Sequence, residues 1–177
     1  MGQPALFAAQ IAPDAINSCI NTGVFPSVVI AQAIQESGSG QSKLAQLGKN
    51  FFGHIATASW AGRTIQLVKN GKLWRVYDSV AQSIKAHLHV LNSPLYHLAG
   101  VFSAKTPFEQ IQALQQAGYD AGPDKAQYAA KISRIITGLN LQQYDEALFA
   151  IERRQNHDHL AFYQRNALQK LVHNITT

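Results

Sequence analysis

The chain has 177 residues, of which 46% are hydrophobic and 14% are charged, and it carries a net charge of +5. This length and composition indicate one folded domain with a sizeable core and a short appendage, and they exclude a disordered chain. The absence of any apolar run of about 18 residues excludes a membrane-spanning helix. The single cysteine, Cys19, excludes an internal disulfide, and we expect it to be a small buried hydrophobic residue.

The charged residues are unevenly distributed along the chain. All 15 lysines and arginines follow residue 42, and only Asp14 and Glu36 are charged before it. A basic surface favours anionic polymers such as cell wall or nucleic acid, but these cations are too scattered for nucleic-acid binding. No positive charge precedes Lys43, so the sequence predicts no secretory signal. A protein acting on the periplasmic or extracellular wall would then be exported by another route, such as phage lysis or a secretion system.

Three helices are predicted in the first part of the chain from apolar residues at helical spacing. The first is expected to break or restart at Pro13, because proline is favoured at a first helical position. Glycines end the first two helices, at Gly23 and at residues 38–40. The predicted ranges are 4–21, 28–37 and 42–47.

A β-hairpin is predicted next. Residues 64–68 and 73–77 are rich in β-branched and aromatic side chains, and Asn70 and Gly71 between them form the preferred pair for a tight type I′ turn. Helices resume after the hairpin, and Asp78 or Ser79 is a natural N-cap for the first of them. The predicted ranges of these helices are 79–91, 107–117 and 125–139.

The last part of the chain is predicted to be a helical extension. Tyr144–Arg154 and Leu160–Val172 have amphipathic patterns and are joined at residues 156–158. We therefore divide the chain into a main domain, 1–142, and an extension, 143–177, which packs on it and offers a surface to a protein inhibitor or delivery partner. The predicted fold class is α+β and mostly α, with a helical lobe, a small β-hairpin lobe and a cleft suited to an extended polymer.

Glu36 is the residue most suited to chemistry. It lies in the last turn of an apolar helix, where the helix dipole and apolar neighbours both disfavour a charged carboxylate. Both effects raise a carboxyl pKa, as a general acid near neutral pH requires. From position alone, a solvated glutamate near a helix end is the favoured interpretation, and only the wider sequence favours the functional one. The histidines show no spacing typical of a metal site, and no cofactor motif is found, so we predict neither a metal nor a cofactor.

The segment Ser27–Ala45, SVVIAQAIQESGSGQSKLA, resembles the signature of the bacterial β-N-acetylglucosaminidases of glycoside hydrolase family 73. This family includes autolysins and flagellar rod-associated hydrolases. The sequences KNFFG, SWAGRT, RVYDS, AGYD and YA resemble its further motifs in the same order, at residues 49–53, 59–64, 75–79, 117–120 and 128–129. The resemblance covers about residues 5–142, most of the predicted main domain.

The resemblance implies a lysozyme-like fold in which Glu36 is the general acid and Tyr119 positions the N-acetyl group of the substrate. For Tyr119 the alternative is a core tyrosine whose hydroxyl caps a turn, and for Phe52 a place in the hydrophobic core is an equally good interpretation. The resemblance also implies substrate-binding roles in the groove for Phe51, Phe52, Gly53, Trp60, Tyr77 and Tyr128.

Two departures from the family pattern bear on the mechanism. Ser39 stands where the family usually has tryptophan, so a wall of the groove is expected to be missing. Many members carry a second glutamate on the hairpin, whereas this chain has no Asp or Glu between Glu36 and Asp78. Asp78 and Asp120 are the candidates for a second carboxylate, although an N-cap role explains Asp78 better.

A single acid still permits hydrolysis if the 2-acetamido oxygen of the sugar attacks the anomeric carbon. The sequence therefore predicts a peptidoglycan hydrolase that cleaves the β-1,4 bond after N-acetylglucosamine by substrate-assisted catalysis. A muramidase or lytic transglycosylase is one alternative, and a non-catalytic wall-binding module is the other.

Overall fold

Helix α2, Pro26–Ser37, lies at the centre of the computed structural model, which describes residues 2–69, 71–120 and 125–176. Every residue from Pro26 to Ile34 is buried, because other helices pack around it. The sequence pattern predicts one apolar face, whereas the structure buries the whole circumference, as expected for a helix that is hydrophobic all round. The last turn of this central helix carries Glu36.

Helix α1, Gln3–Cys19, packs against α2 and continues through Pro13. The predicted break at this proline is wrong. Ile11, Ala12 and Ala15 are buried in the core around it, and their packing offsets the backbone hydrogen bond that proline cannot donate. Cys19 is buried, which confirms its predicted role as a small hydrophobic residue.

The shorter helices follow the predicted ranges closely, with one addition. Their bounds are α3 Lys43–Gly48, α4 Val80–Leu91, α5 Pro94–Leu98, α6 Pro107–Gln116 and α7 Tyr128–Gly138, with 3-10 turns at Val101–Ser103 and Lys125–Gln127. The sequence does not predict α5, because it is too short to show a helical period. The hydroxyls of Ser42, Ser79 and Thr106 accept backbone hydrogen bonds at the starts of α3, α4 and α6, so the N-cap of α4 is Ser79 rather than Asp78.

A two-stranded antiparallel sheet forms the small lobe, with β1 at Thr64–Gln66 and β2 at Leu73–Arg75. The predicted hairpin is confirmed, although its strands are shorter than the sequence indicates. The Gly71 amide donates to the Val68 carbonyl at 2.9 Å. A tight turn centred on Asn70 and Gly71 would instead be closed by the amide of residue 72 and the carbonyl of residue 69. Asn70 itself lies outside the described residues.

The loop that precedes the hairpin is tied to it through Asn50. The side-chain amide of Asn50 is buried and donates to the carbonyls of His54 and Arg75, at 2.9 and 3.0 Å. In the sheet, Ile65 lies opposite Trp74. These bonds hold the backbone of His54 beside β2.

Helix α8 runs from Gln142 to Thr176 without interruption. The predicted division into two helices is wrong, because neither the segment 156–158 nor the rest of α8 contains a glycine or proline that would end it. In its first turn Asp145 is buried and accepts hydrogen bonds from the amide and hydroxyl of Ser27, at 2.8 and 2.6 Å. Residues 153–160 are exposed, and residues before them contact the main domain, among them Asp145 and Glu152.

Helices therefore dominate the described part of the chain, and its sheet has two strands. This architecture confirms the predicted class, α+β and mostly α. Over the same residues, no helix has both the length and the apolar character needed to cross a bilayer.

Candidate active site

A cavity of about 410 Å³ opens at the carboxyl end of α2. Carboxyl, imidazole and phenol groups from separate parts of the chain meet in its walls. Its lining consists of Gln35, Glu36, Phe52, His54, His87, Val90, Tyr96, Tyr119, Asp120 and Tyr128. Within the described ranges, no group of three or more His, Cys, Asp or Glu side chains is placed to hold a metal ion.

Glu36 reaches this cavity because α2 ends directly after it. Gly38 takes the left-handed conformation, with φ 59°, and its amide donates to the Ile34 carbonyl. The buried Ser37 hydroxyl accepts a hydrogen bond from the Gly40 amide at 2.7 Å, which fixes the turn that follows. Ser37 therefore anchors the end of the helix, while the neighbouring Glu36 side chain is exposed to the cavity.

The surroundings of the Glu36 carboxyl favour its protonated form. Burial raises the pKa of Glu36 from 4.5 to about 7, the hydrogen bond from Tyr119 opposes the rise, and the negative charge of Asp120 adds to it. The upward direction that the sequence predicts is thus confirmed, with burial as the main cause. Near neutral pH, many molecules carry the proton that a general acid must deliver.

Tyr119 is the direct hydrogen-bond partner of this acid. Its hydroxyl donates to Glu36 Oε1 at 2.9 Å. Burial raises the pKa of Tyr119 well above its usual value, so the hydroxyl remains a donor. The Tyr119 ring packs against Tyr128 and His87, with centroid distances of 5.2 and 5.9 Å, which hold the hydroxyl in place.

A buried hydrogen-bond chain supports one wall of the cavity. His87 Nε2 lies 2.9 Å from Gln32 Oε1, and Gln32 Nε2 donates to the Tyr128 hydroxyl oxygen at 2.7 Å. Burial lowers the pKa of His87 well below its usual value, so the imidazole is neutral and donates from Nε2. The Tyr128 hydroxyl therefore keeps its own proton for an acceptor in the cavity. Phe52 stacks on His87 with ring centroids 3.9 Å apart.

A second layer of side chains lies behind His54, which lines the cavity. Nδ1 of His54 is 2.8 Å from the hydroxyl of the buried Tyr77. Trp60 contacts Tyr77 edge-on at 5.7 Å, and the Arg75 guanidinium lies 4.9 Å from the Trp60 ring centroid. Trp60 and Tyr77 thus support the wall that His54 forms and are not part of the lining.

The predicted site residues fall into two groups. Phe51 lies in the core, where its ring is 5.5 Å from that of Phe7, and Gly53 takes a left-handed φ of 64° in the loop, so neither lines the cavity. The predicted residues that the structure brings together in the lining are Glu36, Phe52, Tyr119, Asp120 and Tyr128.

Asp78 lies away from the cavity lining. Its carboxyl forms an ion pair with Arg63, and both side chains are largely exposed. Lys49 Nζ donates to the Asp78 backbone carbonyl at 2.6 Å. Of the two candidates for a second carboxylate, Asp120 is the one that shares the cavity with Glu36.

Sequence reasoning misses several residues of the lining. His87 and Val90 lie three positions apart on α4, a spacing that places them on one helix face, and this signal was available. His54 directly follows the Phe-Phe-Gly segment, which indicates a place near the cleft but no role. Tyr96 comes from the unpredicted α5, and nothing in its local sequence marks it. The missed lining residues are Gln35, His54, His87, Val90 and Tyr96.

A glutamic acid with a raised pKa in a cavity at the end of a central helix, in a mostly helical domain with a small hairpin, is typical of the lysozyme-like glycoside hydrolases. Residues 12–141 match the glucosaminidase family, described as mannosyl-glycoprotein endo-β-N-acetylglucosaminidase, and the chain belongs to this family. The resemblance inferred from the sequence motifs is therefore confirmed.

Individual relatives are similar to this chain over most of its length. The exo-glucosaminidase LytG of Bacillus subtilis is 34% identical over 139 residues, covering 70% of this chain and 47% of the relative. A probable N-acetylmuramidase of Lactococcus lactis is 34% identical over 158 residues, covering 80% of this chain and 35% of the relative. The glycoside hydrolase domain of Salmonella typhimurium FlgJ superposes with a TM-score of 0.66 and 32% identity, covering 88% of this chain and 99% of that domain. The chain thus spans less than half the length of these two curated relatives.

Proposed function

We propose that this protein hydrolyses peptidoglycan at the β-1,4 bond that follows N-acetylglucosamine. The observation that carries the proposal is the Glu36 carboxyl, which has a pKa of about 7 and a fixed Tyr119 partner at the wall of a cavity. Membership of the glucosaminidase family supports the choice of sugar. The FlgJ relatives are named peptidoglycan hydrolases, which supports the wall polymer as substrate.

The first step is protonation of the leaving group. Glu36 transfers its proton to the glycosidic oxygen, and the bond between that oxygen and the anomeric carbon breaks. The 2-acetamido oxygen of the same sugar forms a new bond to the anomeric carbon, which gives a cyclic oxazolinium ion. Tyr119, beside Glu36, holds the acetamido group in line for this attack, and its own hydroxyl stays protonated.

The second step reverses the roles of acid and base. The Glu36 carboxylate accepts a proton from water, and the water oxygen attacks the anomeric carbon. The bond between that carbon and the acetamido oxygen breaks, and the acetamido group is restored. Two displacements at the same carbon leave the product with the original β configuration.

Asp120 is the second carboxylate in the proposed mechanism. The oxazolinium ion is positively charged, and a carboxylate in the same cavity lowers its energy. The sequence offers no Asp or Glu between Glu36 and Asp78, so the hairpin lobe supplies no carboxylate for the task. We therefore assign Asp120 as the stabilising charge and the acetamido oxygen as the nucleophile.

The remaining lining suits an amino sugar. Phe52 and Tyr128 line the cavity although both side chains are buried, so they offer a small apolar surface to a sugar ring. The Tyr128 hydroxyl, which accepts from Gln32, has a proton to donate to a sugar oxygen. Binding thus combines a small apolar contact with directed hydrogen bonds.

Product analysis tests the bond that is cut. Purified peptidoglycan is digested and the new reducing ends are reduced with borohydride; we expect reduced N-acetylglucosamine. Reduced muramic acid would identify a muramidase instead, and anhydromuramic ends a lytic transglycosylase. Glu36→Gln should abolish turnover, whereas Asp78→Ala, which removes an exposed ion pair outside the cavity, should change it little. Tight wall binding by the native chain without digestion would indicate a non-catalytic module.

Stereochemistry tests whether water attacks the anomeric carbon directly. Proton NMR of the first product formed from an N-acetylglucosamine oligosaccharide should show the β anomer before mutarotation. An α anomer would instead require direct attack by water, with Asp120 as the base, and would contradict substrate assistance.

The site of action follows from the substrate. Peptidoglycan lies outside the cytoplasmic membrane, so we propose that the protein acts in the periplasm or outside the cell. The exposed residues 153–160 of α8 offer a surface to a delivery or inhibitor partner. Cleavage of the helix in this stretch should leave turnover on isolated walls unchanged.

A further inference from the structure

His54 stands at the cavity wall in a fixed orientation. Its Nδ1 atom is 2.8 Å from the hydroxyl of Tyr77, which is buried behind the wall. The imidazole also faces the rings of Phe52 and His87, at centroid distances of 5.8 Å each. The ring is therefore held on one edge by a hydrogen bond and on one face by stacking, while it lines the cavity.

The proton positions of this pair follow from their neighbours. Burial raises the pKa of Tyr77, and the hydrogen bond and positive charge of Arg75 oppose that rise, so the tyrosine oxygen accepts a hydrogen bond from Arg75. The remaining acceptor beside the phenol is Nδ1 of His54, and a buried hydroxyl proton without an acceptor is costly. Tyr77 consequently donates to Nδ1, and the imidazole carries its own proton on Nε2.

His54 is also neutral under working conditions. Burial, together with the smaller effect of the Arg75 charge, lowers the pKa of His54 from 6.5 to about 4. Nε2 has no hydrogen-bond partner among the described residues, and no buried side-chain nitrogen or oxygen in that part of the chain lacks one. The Nε2–H group is thus open to solvent in the cavity.

We propose that His54 is a positioning residue whose Nε2–H donates a hydrogen bond to an acceptor oxygen of the bound glycan. The proposal rests on the proposed function, because it takes a glycan as the ligand of this cavity. The relay Arg75 to Tyr77 to His54 fixes which ring nitrogen carries the proton. The side of the cavity next to the hairpin therefore presents a donor, not a carboxylate.

The proton on Nε2 limits what His54 can do in the reaction. A donor Nε2–H cannot remove a proton from water, so His54 does not act as the missing base. It recognises a carbonyl or hydroxyl oxygen of the sugar chain and positions that chain in the cavity that Glu36 also lines. The binding contribution of one such hydrogen bond corresponds to about a three- to tenfold change in affinity.

Binding measurements test the proposal without turnover. In the Glu36→Gln protein, calorimetry with a β-1,4-linked N-acetylglucosamine oligosaccharide gives a reference affinity. Adding His54→Ala should weaken binding about three- to tenfold, and His54→Gln, whose amide can donate, should restore most of it. Tyr77→Phe removes the group that fixes the tautomer, so it should weaken binding less than His54→Ala does. In the otherwise native enzyme, His54→Ala should raise KM more than it lowers kcat.

The tautomer has a direct spectroscopic signature. Nitrogen-15 NMR of the histidine ring should show a protonated Nε2 and an unprotonated Nδ1 at His54, and Tyr77→Phe should abolish the preference. A proton found on Nδ1, or binding that His54→Ala leaves unchanged, would overturn the proposal while the proposed function stands. A Glu36→Gln protein that binds no oligosaccharide would contradict both.

Discussion

Replacing Glu36 with glutamine should make the protein more stable at neutral and alkaline pH. The folded environment raises the pKa of this carboxyl from 4.5 to about 7, mainly by burial. Folding therefore favours the protonated form, and the ionised form lowers stability. Glutamine has the same shape, cannot ionise, and keeps an oxygen for the Tyr119 hydroxyl.

The pH window follows from the two pKa values. Below the unfolded value of 4.5 the carboxyl is protonated in both states, so native and variant proteins should be equally stable. As pH rises through about 7 the native protein must ionise a disfavoured group, and the difference should reach its full size. The full pKa shift corresponds to at most about 3 kcal/mol of stability. Because the Glu36 side chain is open to solvent on its cavity side, screening reduces this to about 1–2 kcal/mol.

Thermal unfolding at two pH values measures the effect. For a chain of this length the variant should melt about 3–6 °C higher at about pH 8, and at the same temperature at about pH 4. Glu146→Gln, at an exposed position on α8, is the matched control and should change stability by less than about 0.5 kcal/mol. A pH-independent difference, or a variant less stable than the native protein at alkaline pH, would refute the reasoning.

Three further substitutions probe the region around the carboxyl end of α2. Tyr119→Phe removes the hydrogen bond that opposes the raised pKa of Glu36, so the alkaline limb of the pH–rate profile should move to higher pH; an unmoved limb would contradict the contact. Gly40→Ala should destabilise by at least about 2 kcal/mol in urea unfolding, because the new Cβ would lie 2.7 Å from the Phe7 ring at a φ of 77°. Gly38→Ala, with φ 59° and no atom within 4 Å, should cost only the backbone strain of about 1 kcal/mol; equal losses would show that the Phe7 contact is unimportant.

Local sequence signals were sufficient wherever the structure is decided locally. Ser79 and Thr106 begin helices through bonds to their own backbone neighbours, and Gly38 ends α2 because it can take the left-handed conformation. The Asn-Gly pair predicted a hairpin for the same reason. Each of these signals depends on residues within a few positions of one another.

Where packing competes with local preference, the sequence predictions were wrong. Pro13 lies inside α1, where buried neighbours hold the helix together despite the missing hydrogen bond. Residues 156–158 favour a turn only weakly, and a helix that is already formed continues through them. The outcome depends on long-range contacts and helix cooperativity, which short patterns do not contain.

In the candidate site, too, locally determined features were predictable and those that depend on long-range packing were not. The helix end indicated the direction of the Glu36 pKa shift, but the choice of Glu36 as the acid came from the motif resemblance. The sequence did not predict that Trp60 and Tyr77 lie outside the cavity lining, because their positions depend on contacts with Arg75 and His54. The motif resemblance identifies residues near the site, but only the three-dimensional arrangement separates those that line the cavity from those that support them.

The position of Glu36 depends on both ends of α2. At the amino end, the buried Asp145 carboxyl accepts two hydrogen bonds from Ser27 and faces the positive end of the helix dipole. At the carboxyl end, Glu36 faces the negative end of the dipole. Burial raises the pKa of both carboxyls, but the Ser27 bonds hold Asp145 to about 6, so at neutral pH it is mostly ionised while Glu36 is closer to half protonated. The family match ends at residue 141, before Asp145, so the unit that positions the acid extends beyond the family region into α8.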